Sequence, residues 1–303
     1  MNKKFPNEYI QKDNLFETLN FISEFKKLFY QELKKHWWLI SIDSPIIEFA
    51  SSSNSRTINF DNKYDGLVYE IAQYPDDYLA NFFKKLRNEN KYLGLISYVN
   101  VFNRDAQING INYLNSQTFD LRIKVEENDK NEFETLVYDY YVKVVEIINK
   151  TLNDLKYQID PDIIYLIQKT KIINQNKNLI NKDNKDAYIE NLIEKHKCVC
   201  FISQGSNNKN DFWTINYPND DESYCSEIWS FRQTNKNKIN LAQINFSKNL
   251  GNEINKEYYL HIVLNINNFL LLFTNKSHLG EIIHGCWDNK TINEAKTKKI
   301  NLL

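Results

Sequence analysis

The sequence predicts an α+β fold: an antiparallel sheet flanked by helices. Three observations carry this. Long segments with apolar residues three and four apart alternate with shorter β-branched and aromatic runs. Two of those runs, 93–102 and 113–125, flank a turn-rich stretch at 103–110 and so read as an antiparallel hairpin. Four further strand-like runs follow in the second half, at 197–203, 212–215, 228–231 and 238–246.

The elements follow in order. Residues 14–35 form an amphipathic helix, with Leu15, Leu19, Ile22, Phe25, Phe29 and Leu33 on one stripe. Residues 37–42 are densely apolar and read as a strand, which Pro45 interrupts. Residues 51–65 are rich in Ser, Asn and Asp and read as a loop; 67–73 read as a strand. Residues 76–88 are helical by the spacing of Tyr78, Leu79, Phe82, Phe83 and Leu86. The clearest helix is 132–156, where Phe133, Leu136, Tyr140, Val144, Ile147 and Ile148 recur. A Pro161-initiated segment and a polar helix ending near His196 precede the later strands. Residues 257–275 read as an apolar helix and 279–287 as a last buried strand. Without an internal repeat or linker, 1–303 is expected to form one domain.

Composition narrows the function classes. Lys+Arg is 38 against Asp+Glu 39, a formal net charge of -1, so the global positive field of a nucleic-acid binder is missing and no specific nucleic-acid partner is expected. Only 7 glycines occur, and neither a Walker loop nor a Rossmann fingerprint is present. Five of the 38 basic residues are Arg, while Asn occurs 44 times, a bias that fits an AT-rich coding sequence. The longest apolar stretches are far shorter than a membrane span, and no signal peptide is evident, so a reducing, cytoplasmic setting is expected.

Few motifs carry chemistry alone. Cys198 and Cys200 share a strand face, but zinc needs two more ligands, and the pair reads as core packing. No Ser or Cys nucleophile sits in a recognisable elbow beside any of the five histidines. The acidic run Asp220-Asp221-Glu222 reads as a solvated loop.

The order of elements, with several quoted segments, resembles a class II aminoacyl-tRNA synthetase core, and within it asparagine synthetase A, the aspartate–ammonia ligase family. Residues 25–45 resemble the first class II motif. Asn216-Tyr217-Pro218-Asn219-Asp220-Asp221 is similar to the family's Ala-Pro-Asp-Tyr-Asp-Asp loop. Ser277-His278-Leu279-Gly280-Glu281-Ile282, with Gly285 and Trp287, is similar to its Pro-His-Ile-Gly-Gln-Val…Gly-Val-Trp ending. The resemblance implies a single class II-like domain and chemistry in which aspartate and Mg²⁺–ATP give an adenylate that ammonia attacks.

The resemblance also implies where the site residues fall. Arg56 stands where the family has an Asp, and Gln73, Pro75 and Asp76 where it has cations. Asn103 takes the place of the motif-two Arg, with Arg104 beside it. Gln117 and Asp120 fall on the Asp-Gln-Trp-Asp strand, with a register loose by one residue. Lys236 and Asn240 replace the two Mg²⁺-holding glutamates, and Asn267-Asn268 replaces the motif-three Ser-Arg. Losing one preorganised electrostatic group costs ~10²–10³ in rate, so the combined loss implies a degenerate member with no cofactor and no metal. It would serve as a binding, regulatory or assembly subunit. The alternative is an active ligase using ATP and Mg²⁺ through Arg104, Asp120, Asp220 and Asp221. A homodimer through 37–42, a further protein partner, and a small anionic ligand held by Arg56, Arg104, Arg232 and Lys236 complete the expectations.

Overall fold

The structure, a computed structural model, describes residues 15–45, 47–49, 58–61, 68–71, 76–86, 92–102, 115–125, 133–155, 170–174, 185–204, 224–231, 238–248 and 258–274. Its frame is an eight-stranded sheet. In spatial order the strands are β1 (Leu39–Ser41), β5 (Gly94–Phe102), β6 (Asn115–Val125), β11 (Tyr258–Asn265), β10 (Lys238–Lys248), β9 (Tyr224–Phe231), β8 (Cys198–Gln204) and β7 (Lys171–Asn174). The six inner strands pair antiparallel, with the hairpin β5–β6 at one side. The two edges depart from the antiparallel expectation, because β1 joins β5 and β7 joins β8 in parallel. A smaller antiparallel sheet has the order β2 (Ile47–Phe49), β4 (Val68–Ile71), β3 (Ile58–Asp61).

Alternation within the strands gives the large sheet two different faces. One carries Ile96, Phe119, Leu121, Ile123, Leu260, Ile262, Leu264, Ile244 and Phe246, all buried. Against it pack α1 (Leu15–His36), α3 (Phe133–Asp154) and α5 (Ile266–Thr274). Aromatic rings lock these helices to the sheet and to one another. The Phe29 and Phe119 centroids lie 5.7 Å apart, Phe25 meets Phe273 edge-on at 5.7 Å, and Trp37 stacks on Tyr140 at 5.6 Å. Each large apolar side chain buried there contributes about 1.5–3 kcal/mol. Cys198 and Cys200 belong to this core as small hydrophobes.

On the other face the described helices pack at the flanks. Leu79 and Phe83 of α2 (Asp76–Leu86) pack on Leu95, Val99 and Val101 of β5. Ile189 and Ile193 of α4 (Lys185–His196) pack on Val199 of β8. Between them the described residues of β6, β11 and β10 are largely polar.

The glycine-poor sequence shapes the helix exits. Trp38 and Lys197 adopt left-handed backbone (φ 51° and 67°) where α1 and α4 turn into strands, a position usually given to glycine. The Trp38 N–H donates to the Lys35 carbonyl at 3.5 Å and the Lys197 N–H to the Ile193 carbonyl at 2.7 Å, closing each last turn. One glycine is irreplaceable in place: a Cβ on Gly94 would lie 1.8 Å from the Arg122 carbonyl oxygen across the hairpin.

Four sequence expectations need correction. The stretch read as one helix over 257–275 is β11 followed by α5, split at Asn265, whose Oδ1 accepts the Asn268 N–H at 3.2 Å as a helix N-cap. The loop expected over 51–65 contains β3, which pairs with β4. The short strand β7 was not anticipated at all. The strand expected over 37–42 is only three residues, Leu39–Ser41; before it Trp37 is buried and Trp38 is exposed. The turn at 103–110 and the strands expected at 212–215 and 279–287 lie outside the described residues.

Candidate functional site

The polar strip begins on β6, where Ser116, Thr118, Asp120 and Arg122 take alternate positions and so share one face. Asp120 and Arg122 bond along the strand: Arg122 Nε donates to Asp120 Oδ1 at 3.1 Å and Nη2 to Oδ2 at 3.4 Å, the fork that guanidinium offers a carboxylate. The register of β11 brings His261 opposite Arg122, and its Nε2 lies 2.6 Å from Asp120 Oδ2. All three side chains are buried, with at most 2% of any exposed. Burial alone would raise the Asp120 pKa. The Arg122 guanidinium and the His261 imidazole outweigh it and hold the carboxyl well below its usual range. An ionised Asp120 only accepts, so His261 Nε2–H is the donor.

Around this network the strands place further polar groups on the same face. Ser97 faces Asp120 from β5, and Asn265 faces Thr118 from β11. On β10, Gln243 lies opposite Val263 and Asn245 opposite His261. Among the described residues, Ser97 Oγ, Thr118 Oγ1, Gln243 Oε1 and Asn245 Oδ1 are buried without a hydrogen-bond partner. At the start of α5, both amide atoms of Asn267 and the Oδ1 of Asn268 share that condition. Native interiors leave few such groups, each costing about 1–3 kcal/mol, so a concentration of them on one face marks it as the functional candidate.

The structure places four of the sequence-derived candidates. Asp120 is the centre of the network. Asn240 and Asn268 are brought together, Asn268 Nδ2 donating to the Asn240 carbonyl at 2.7 Å. Gln117 is on the opposite face from Asp120: its Oε1 accepts from Lys26 Nζ of α1 and its Nε2 donates to Asn100 Oδ1 at 3.3 Å. Burial lowers the Lys26 pKa to about 8. Arg56, Gln73, Asn103, Arg104, Asp220, Asp221, Arg232 and Lys236 lie outside the described residues. Arg122 and His261, with the four orphaned side chains, were not singled out from sequence. The signal for Arg122 was its place two residues after Asp120 and four after Thr118, on the polar side of an alternating strand. His261 had none, because its partner is 141 residues away. Among the described residues, no group of three or more His, Cys, Asp or Glu is gathered for a metal ion, and no helix is long and apolar enough to cross a membrane.

No protein-family model matches the sequence, and no curated protein gives a significant match. Solved structures do match in fold. An asparaginyl-tRNA synthetase from Entamoeba histolytica superimposes with a TM-score of 0.59 at 8% identity, covering 89% of this chain and 67% of that one. That of Pyrococcus horikoshii, complexed with asparaginyl-adenylate, gives 0.57 at 12% identity, covering 89% and 68%. A putative aspartyl-tRNA synthetase from Leishmania major gives 0.52 at 11% identity, covering 88% and 63%. The chain thus spans about two thirds of the length of these synthetases. It has a class II aminoacyl-tRNA synthetase-like fold; at these identities the likeness shows fold alone.

Proposed function

We propose that this chain is an asparagine synthetase A-like protein that has kept the class II frame, has given up adenylate formation, and works as a binding, regulatory or assembly subunit. The observation that carries the reading is the chemistry of the sheet's polar face. Asp120 at its centre is committed to Arg122 and His261. Asn240 and Asn268, at positions where the resembled family uses a Mg²⁺ carboxylate and a phosphate-binding Arg, are neutral amides, and the Asn268 side chain donates to the Asn240 backbone carbonyl. Mg²⁺ wants uncommitted anionic oxygens and a triphosphate wants cations, and these residues offer neither. The described donor set therefore does not fit Mg²⁺–ATP. Pyrophosphate exchange with aspartate, ATP and Mg²⁺ tests the reading: exchange at background is expected, and clear exchange would establish a working ligase instead.

The same reading includes a homodimer through the β1 edge. Trp38 is 69% exposed and Leu93 47% exposed, and the Leu93 N–H donates to the Trp38 carbonyl at 3.3 Å, so the two form one apolar ledge. Light scattering at micromolar concentration should give twice the chain mass, and Trp38→Asp should return it to monomer. A monomer mass for the unaltered chain would remove the dimer from the reading.

A further inference from the structure

Across the large sheet from Asp120, an amine stands among neutral partners. Lys26 of α1 is half-buried, and its Nζ donates to Gln117 Oε1 on β6, whose Nε2 donates in turn to Asn100 Oδ1 at 3.3 Å. Asn100 and Gln117 are directly paired in the β5–β6 register, so the two amides form one neutral ledge at that end of the hairpin. Among the described residues no carboxylate pairs with Lys26, and Gln117 is its only hydrogen-bond partner. Lys143 and Lys150 of α3, by contrast, each pair with a glutamate. An ammonium at Lys26 gives up part of its hydration and receives one amide oxygen in return. Burial accordingly lowers its pKa to about 8. The next residue, Lys27, is exposed.

We propose that Lys26 is an acyl-acceptor site, its ε-amine taking a small acyl group from an activated donor, a thioester or an acyl phosphate. In that step the Nζ lone pair attacks the donor's carbonyl carbon and a C–N bond forms. The C–S or C–O bond to the leaving group breaks, the thiolate or phosphate departs with the electron pair, and Nζ releases a proton to water. Nothing is oxidised or reduced. The surroundings suit the product. An acylated lysine is neutral, so the desolvation cost of the ammonium disappears. It also keeps one N–H, which is what Gln117 Oε1 is placed to accept. An aldehyde would be matched less well: its neutral imine has no N–H for Gln117, and its protonated imine restores a charge among neutral groups. A half-desolvated amine without an ionic partner is also the more reactive nucleophile at neutral pH. This goes beyond the subunit role proposed above and stands whether or not the polar face forms an adenylate.

The test treats the full chain at about pH 7.5 with acetyl phosphate in one arm and with a small acetyl thioester, S-acetyl-N-acetylcysteamine, in the other. Cleavage after glutamate releases residues 25–32, which hold Lys26 and Lys27 and no other lysine, and fragment masses give the occupancy of each. Lys26 should acetylate about tenfold faster than Lys27 with at least one donor, and the preference should vanish in urea. The arm that reacts identifies the source of the acyl group. Gln117→Glu sets a carboxylate beside the amine and holds it as an ammonium, so the Lys26 rate should fall to that of Lys27 or below in a chain that still melts cooperatively. Lys26 reacting no faster than Lys27 with both donors would overturn the proposal. So would a preference that persists in urea, or undiminished Lys26 reactivity in folded Gln117→Glu. If that variant does not fold, the Lys26-to-Lys27 ratio of the unaltered chain decides by itself.

Discussion

The two faces of the eight-stranded sheet are made by the same strands, yet they obey opposite rules. On one face the apolar side chains of Phe119, Leu121, Ile262 and Ile244 meet three helices, and the polar Gln117 is hydrogen-bonded to Lys26 and Asn100. On the other, one residue along, Thr118, Asp120, His261 and Asn245 are just as deeply buried, and the Thr118 Oγ1 and Asn245 Oδ1 atoms have no hydrogen-bond partner. A strand that serves stability alone has no reason to keep such groups, because an apolar side chain of the same shape would cost less. The difference teaches that an apolar packing face and a polar candidate face lie a single pleat apart on the same strands.

That contrast can be broken by mutation, with the apolar face giving the largest effect. Phe119 contacts the rings of Phe29, Tyr30 and Tyr98, and Phe119→Ala should lower stability by about 4 kcal/mol in urea denaturation, through lost burial and the cavity left behind. Next comes the charge network. Arg122→Met leaves Asp120 buried with only part of its support and should cost about 3 kcal/mol at neutral pH. The pH dependence sharpens the point. The Asp120 carboxyl titrates lower in the folded chain than its ordinary value of 3.8, so its contribution is fully present above that value and fades as pH falls below it. In Arg122→Met the folded carboxyl titrates closer to its ordinary value, so the acid-dependent loss should be smaller, which denaturation at pH 7, 5, 4 and 3 would reveal.

The frame was legible in the sequence where one period dominated. The stripe of α1, the hairpin β5–β6 and α3 follow directly from the spacing of Phe25, Phe29 and Leu33, of Val99 and Val101, and of Tyr140, Val144 and Ile148. The stretch 257–275 was misread because a strand and a helix that are both buried give one continuous apolar run, and periodicity cannot divide it. The dividing mark is Asn265, a polar residue whose capping role shows only when its Oδ1 meets the Asn268 N–H. At the site, Asp120 was found through resemblance, and its partners were not. Arg122 is adjacent on the same strand face, but nothing in sequence says that it turns toward Asp120 rather than to solvent. His261, Gln243 and Asn245 arrive through strand register, which is set by the whole sheet and not by local spacing.

The smallest expected effect is the most direct test of the contrast, because its sign differs. Thr118 and Phe119 are neighbours in one strand, buried to 0% and 1% exposure, pointing to opposite faces. Thr118→Val removes an orphaned hydroxyl at nearly constant shape and should raise stability by about 1 kcal/mol, measured by urea denaturation in parallel with Phe119→Ala. A gain at Thr118 beside a large loss at Phe119 is the predicted result. A loss of similar size at both would mean that the Thr118 hydroxyl is satisfied, and would contradict the division between the two faces.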